Sequence, residues 1–233
     1  MNLQNARALV TGGSEGIGLG IARALKHKGS KVAIMARNAD RLNRAAKEID
    51  VLALPGDVSR ETDVKRVVAS FVEAFGGIDI LVNNAGYGFF APLTEMDTAE
   101  FEKLFATNVT GAMMMAREVA PHFIAQKRGH LVNISSTSGL SGGKSSTAYS
   151  GSKFALRGMN ECWRAELRPH NVRVMLVNPS EVQTPFFSKV GHEQVLSEKK
   201  LRASEIADAI VGALEIDDRG FIPEFSVFAT NPF

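Results

Sequence analysis

Seven short runs of Val, Ile, Leu and Ala punctuate this chain, and most are separated by longer stretches with helical spacing of apolar residues. The runs are expected as strands at Ala6–Val10, Val32–Ala36, Val51–Leu54, Ile80–Asn83, His130–Ile134, Val172–Val177 and Phe221–Phe228. They show little polar alternation, as strands covered on both faces of a parallel sheet do. Helices are expected over 16–28, 38–49, 60–75, 98–126, 150–169 and 203–215. A chain that alternates strand and helix in this way can close its layers in few ways. Repeated βαβ units with helices on both faces give an α/β fold, a doubly wound three-layer α/β/α sandwich with a seven-stranded parallel sheet. No internal repeat, low-complexity tract or Pro-rich linker divides residues 1–233, so a single domain is expected.

The bulk numbers narrow the partners. A net charge of +2 without a basic block gives no case for nucleic acid or an anionic membrane surface. No apolar run approaches the ~18–20 residues that cross a bilayer. The first residues, "MNLQNARALVTGG", lack a secretory pattern, and the one cysteine, Cys162, cannot form an internal disulfide. A cytoplasmic location is the expectation. The histidines show no metal spacing; His122, His130, His170 and His192 read as surface or capping residues, and no metal is expected.

"TGGSEGIG" (Thr11–Gly18) follows the first strand and opens the first helix. Gly12, Gly16 and Gly18 suit a tight turn that lets backbone approach a ligand, and the helix N-terminus offers unpaired N–H groups to a pyrophosphate. The spacing differs from G-x-G-x-x-G, but the position in a βαβ series points to a dinucleotide. Which one is read at the end of the second strand. An acidic residue there would hold a ribose 2′-OH; this strand instead ends "ARN", with Arg37, whose guanidinium matches a 2′-phosphate. NADP(H) is therefore favoured over NAD(H), although Glu15 inside the turn opposes a phosphate. Asp57 and Val58 in "GDVS", and Asn84, Ala85 and Gly86 in "NNAG", also end strands and are candidates beside the cofactor.

Two long loops follow strand ends, at 135–148 and 179–202, the side on which open parallel sheets bind ligands. The first leads into "YSGSK", where Tyr149 and Lys153 stand one turn apart on a helix. A phenol ionises near ~10; bringing that down by about three units takes roughly 4 kcal/mol, which a neighbouring ammonium helps to supply.

Together, "TGGSEGIG", "NNAG", Asn108 in "NVTG", "ISS" at 134–136, "YSGSK" and "NPSEVQT" at 178–184 closely resemble the short-chain dehydrogenase/reductase family over residues 6–228. The resemblance implies a Rossmann-like fold and hydride transfer between NADP(H) and a secondary alcohol/ketone pair. It implies Tyr149 as acid/base, Lys153 as the residue that binds the nicotinamide ribose and lowers the tyrosine pKa, and Ser136 as hydrogen-bond partner of the substrate oxygen. Asn108 would orient a water in a proton relay. Ser14, Glu15 and Ile17 join the glycines at the phosphate end, and Pro179, Val182 and Thr184 border the nicotinamide. Two departures stand out. Ser180 follows Pro179 where the family usually has glycine, and "GFIPEFSVFATNPF" lacks the glycine-rich ending that looks typical of the fatty-acid-synthesis reductases.

Tyr87, Phe89, Phe90, Phe186 and Phe187 sit on loops beyond strand ends, so the substrate pocket is expected to be apolar, with 180–202 as a closing loop. No Arg or Lys is dedicated to a substrate carboxylate, Lys144 and Lys189 being the cations nearby. Along 150–169, Leu156, Met159, Trp163 and Leu167 form one apolar stripe and Phe154, Gly158, Cys162 and Ala165 another. A helix apolar on two sides predicts a homodimer or homotetramer. The expected activity is reduction of an apolar ketone. The alternatives are reduction of a 3-oxoacyl thioester and a dinucleotide-binding regulator without turnover.

Overall fold

The computed structural model describes residues 1–186 and 197–231. Its strands are β1 (Arg7–Thr11), β2 (Lys31–Ala36), β3 (Leu52–Pro55), β4 (Ile80–Asn83), β5 (Gly129–Ile134), β6 (Val172–Pro179) and β7 (Glu224–Val227). All seven pair in parallel in one sheet, in the order β3-β2-β1-β4-β5-β6-β7. The winding direction reverses between β1 and β4, so the loops leaving those strands part and open a crevice above their C-terminal ends.

Alternate residues of each strand feed two apolar layers. Val10, Ile34 and Val82 belong to the layer shared with α1 (Gly16–His27), α2 (Ala39–Ile49) and α7 (Ala203–Glu215), where Ile21, Leu42 and Ile210 are buried. Leu9, Met35 and Leu81 belong to the opposite layer, with Phe71 of α3 (Glu61–Phe75) and Phe123 of α5 (Ala112–Gln126). Burial from both sides is why the strands read as unbroken apolar runs. α6 (Thr147–Leu167) lies on this second side, its Leu156 against Leu176 and Ala112. Its first stripe is packed inward. Phe154, Cys162, Gly158 and Ala165 of the second stripe are exposed on the chain alone. Among the described residues no helix is long and apolar enough to cross a membrane.

The single helix expected over 98–126 is broken. α4 (Thr98–Phe105) and α5 are joined by a π-helical segment, Ala106–Gly111, that widens the turn around Asn108. Apolar spacing continues through it, so periodicity does not register the insertion. A strapping hydrogen bond to a distant loop holds it, as the site shows.

His130 is not a surface residue. It lies on central strand β5, between Ile80 of β4 and Arg173 of β6 in register, and is 6% exposed. Its Nδ1 has no hydrogen-bond partner among the described residues. Burial, reinforced by the Arg173 guanidinium and the N-terminal ammonium against the weaker pull of Asp218 and Asp79, holds its pKa down from 6.5 to about 3. The unfolded chain takes up this proton near pH 6.5; the folded chain refuses it until about pH 3. Stability is therefore full above the ordinary histidine range and falls on acidification, at up to about 1.4 kcal/mol per pH unit. Urea midpoints measured from neutral to mildly acidic pH should show this slope, and His130→Gln should flatten it. A slope unchanged by the substitution rules His130 out as its source.

Candidate active site

The phosphate end is built by glycines that nothing larger could replace. Gly12 and Gly16 take left-handed φ values of +64° and +57°. A Cβ on Gly12 would lie 2.8 Å from Asn84 Nδ2 and 2.9 Å from Ala85 Cα; one on Gly18 would run into the Gly12 carbonyl. So Gly18 acts from behind the turn, while Gly12, Ser14, Glu15, Gly16 and Ile17 line the cleft. Glu15 is the N-cap of α1 and makes no side-chain cap bond, so the first N–H groups of the helix are not taken by it. Thr11, which sequence reading passed over, welds the turn to β4. Its Oγ1 accepts the N–H groups of Asn84 and Ala85 at 3.0 Å each and donates to the Val82 carbonyl at 3.2 Å. The Asn84 amide returns to the carbonyls of Thr11 (2.9 Å) and Gly12 (3.2 Å). Asn84 thus borders the cleft as a brace between the strands flanking the switch point.

At the other end of the turn stand two guanidinium groups. Arg37 is largely exposed, 3.9 Å from Asp57, whose Oδ1 is occupied by the Ser59 N–H and hydroxyl. The second, Arg41, was not foreseen, because on sequence it reads as a solvated face of α2. Asn38 caps that helix by accepting the Arg41 N–H, and the Arg41 guanidinium reaches Glu15 at 2.8 Å. The carboxylate expected to repel a phosphate is therefore neutralised from the next helix. Val58 is buried against Gly111 of the π segment, and Ala85 and Gly86 continue the wall.

At the opposite end of the cleft, Asn108 is 2% exposed. Its Nδ2 donates to the Tyr87 carbonyl (2.9 Å) and to Ser152 Oγ (3.1 Å), and its Oδ1 accepts the Tyr87 N–H (3.1 Å). The amide is committed to strapping the loop after β4 to α6, so any relay through this residue runs through its main chain. Lys153, 6% exposed, donates to the Ile134 carbonyl at 2.9 Å, and burial lowers its pKa from 10.5 to about 8. Ser136 caps the short turn Thr137–Gly139 and lies beside the Tyr149 phenol. Ser135 Oγ is buried without a hydrogen-bond partner among the described residues, on the side of Gly139 and Lys153's main chain.

The expected acidification of Tyr149 is not present in this structure. Desolvation pushes the phenol up from 10.0 to about 12, and the Ser136 hydroxyl opposes this only in part. Lys153 Nζ stands 5.6 Å from the ring centroid, bound to main chain. The phenol is a held proton at neutral pH. Its desolvation fits the rings packed on it: Phe90 and Phe186 flank it at 5.4 and 5.5 Å, tilted by 50° and 54°. Gly88 makes room for both, since a Cβ there would come 2.7 Å from Phe90 and 2.8 Å from Phe186. Tyr87 lines the cleft with them. Phe89 does not line it, nor does the exposed Lys144; Phe187, Lys189 and His192 fall outside the described residues. Pro179, Ser180, Val182 and Thr184 close the far wall, along with the unforeseen pair Glu181 and Lys200. The whole cleft measures about 860 Å³. Its reach from the glycine turn to Tyr149 and the absence of side chains at Gly12 and Gly16 fit a dinucleotide lying across the switch point.

The comparisons with known proteins agree. Residues 6–195 match the family model described as short chain dehydrogenase, and the chain belongs to that family of oxidoreductases. An uncharacterized oxidoreductase of Staphylococcus saprophyticus is 36% identical over 221 residues, covering 92% of this chain and 93% of that one. Among solved structures, a metagenomic short-chain oxidoreductase in complex with NADP superposes with a TM-score of 0.85 at 34% identity, over 99% of this chain and 100% of that one. A 3-ketoacyl-(acyl-carrier-protein) reductase from Brucella melitensis complexed with NADH superposes with a TM-score of 0.92 at 27% identity, again over 99% and 100%.

Proposed function

We propose that the protein reduces an apolar ketone to a secondary alcohol with NADPH. The observation that carries this reading is the protonated Tyr149 phenol beside the Ser136 hydroxyl, at the end of a cleft shaped for a dinucleotide. The dinucleotide supplies the hydride. Ser136 hydrogen-bonds the substrate oxygen, and Tyr149 gives that oxygen its proton as negative charge develops. Lys153 holds a ribose hydroxyl from the floor, its ammonium steadied by the Ile134 carbonyl. Arg37 and Arg41 are the 2′-phosphate ligands, with no carboxylate at the end of β2 to favour the unphosphorylated ribose. Phe90 and Phe186 select against charged substrates.

NADPH absorbance followed over a panel of ketones tests the proposal. Apolar ketones should be reduced at least about tenfold more efficiently than carboxylated ones of similar size, given the cost of an unpaired charge among these rings. No turnover with any ketone would leave the dinucleotide-binding regulator. The likeness to the Brucella reductase favours one second reading, reduction of a 3-oxoacyl thioester; efficient turnover of acyl thioesters with poor activity on simple ketones would establish it. The exposed stripe of α6, with Phe154 at its N-terminal end, is the surface we assign to an isologous pair of chains, which sedimentation equilibrium checks.

A further inference from the structure

Gln183 has no expected role, and its side chain does not line the cleft, although both neighbours, Val182 and Thr184, do. Its carboxamide is enclosed instead by the turn at 197–200. Nε2 donates to the carbonyls of Ser197 (2.7 Å) and Lys200 (2.9 Å), and Oε1 accepts the Ser197 N–H (2.7 Å). The Gln183 main-chain N–H donates to the Leu201 carbonyl at 2.7 Å, beside a parallel bridge between Val182 and Leu201. Val182 and Leu201 are both buried in the layer that holds α7. The segment leaving β6 is thereby clasped to the segment entering α7, and the Glu181–Lys200 ion pair, 2.6 Å long, spans the same junction at the cleft rim.

What the clasp steadies faces the cleft. Thr184 stands over Gly16 of the phosphate turn, where an added Cβ would lie 3.3 Å from the threonine Cβ. Phe186, three residues beyond Gln183, packs on Tyr149. The wall is held from behind, by the turn at 197–200.

We propose that Gln183 is a positioning residue whose carboxamide fixes the Val182–Phe186 wall over the bound dinucleotide. The inference rests on the dinucleotide-dependent reading above. The chemistry is specific to an amide, which offers two donors and an acceptor in one plane. A glutamate of the same shape keeps the acceptor but sets carboxylate lone pairs against two carbonyls.

Gln183→Met, of similar length and without strong hydrogen-bonding groups, is the first test. The NADPH dissociation constant, read from nucleotide fluorescence, is expected to rise about tenfold, with kcat at saturation within about twofold of the unmodified chain. Amide exchange at Ser197 should quicken by about the same factor. An affinity and an exchange rate both unchanged would overturn the proposal. If Gln183→Met folds poorly, Gln183→Glu decides. Its affinity defect, taken relative to the unmodified chain at each pH, should be at least about tenfold near about pH 8 and shrink near about pH 5.5, where a carboxyl regains one donor. A defect independent of pH would overturn it. Neither readout needs turnover, so a protein that binds NADPH but reduces no ketone would sink the proposed activity and leave the clasp standing. A protein that binds no dinucleotide would sink both.

Discussion

Tyr149→Phe is expected to lower kcat by about a thousandfold while leaving NADPH affinity and melting temperature close to those of the unmodified chain. The substitution removes one oxygen and keeps the ring that Phe90 and Phe186 flank. It deletes the phenol hydroxyl placed beside Ser136, while Lys153 is turned to the Ile134 carbonyl. The pH dependence follows from the raised phenol. With a pKa near about 12, Tyr149 is protonated across the neutral range, so the reductive direction needs no deprotonation and should be flat in pH up to the range where other groups titrate. The oxidative direction needs phenolate and should accelerate with pH. Steady-state rates in both directions, with nucleotide titration, check this. A kcat within about tenfold of the unmodified value would remove Tyr149 from the chemistry.

The second large effect concerns the choice of dinucleotide. Replacing both Arg37 and Arg41 by Ala is expected to reduce kcat/KM for NADPH by about 100- to 10,000-fold, since each charge-assisted contact is worth about 1.5–3 kcal/mol. NADH, which lacks the 2′-phosphate, should change by less than about tenfold. The two arginines are not equivalent. Arg37 is exposed and loosely apposed to Asp57 at 3.9 Å, whereas Arg41 balances Glu15 at 2.8 Å. Arg41→Ala therefore removes a proposed 2′-phosphate ligand and also uncovers the Glu15 carboxylate inside the glycine turn, so it should be the more damaging single change, and adding Glu15→Gln should recover part of the loss. Equal losses for NADPH and NADH would show that the arginines shape the cleft without reading the phosphate.

The same residues show how far sequence reaches. The strands were legible because both of their faces are buried, so each appears as a continuous apolar run wherever one looks along it; β7 was placed too generously because its residues are only partly covered at the sheet edge. The glycine turn was legible because left-handed backbone and close approach admit almost no other residue. The π segment around Asn108 was not, because the groups its side chain bonds, the Tyr87 main chain among them, are remote in sequence. Arg41 was missed for the same reason, its partner Glu15 lying on another element.

The chain's own order of residues determined the alternation of strands and helices, the glycine turn and the one-turn spacing of Tyr149 and Lys153, because periodicity and backbone permissiveness are local properties; Asn108 and Ser136 were reached only through the family resemblance. Tertiary structure alone decided the direction of the Tyr149 shift, the neutral state of His130 and the clasp made by Gln183. Proton affinities and hydrogen-bond partners depend on which distant groups desolvate or face a side chain, and only folding brings those groups within a few ångströms.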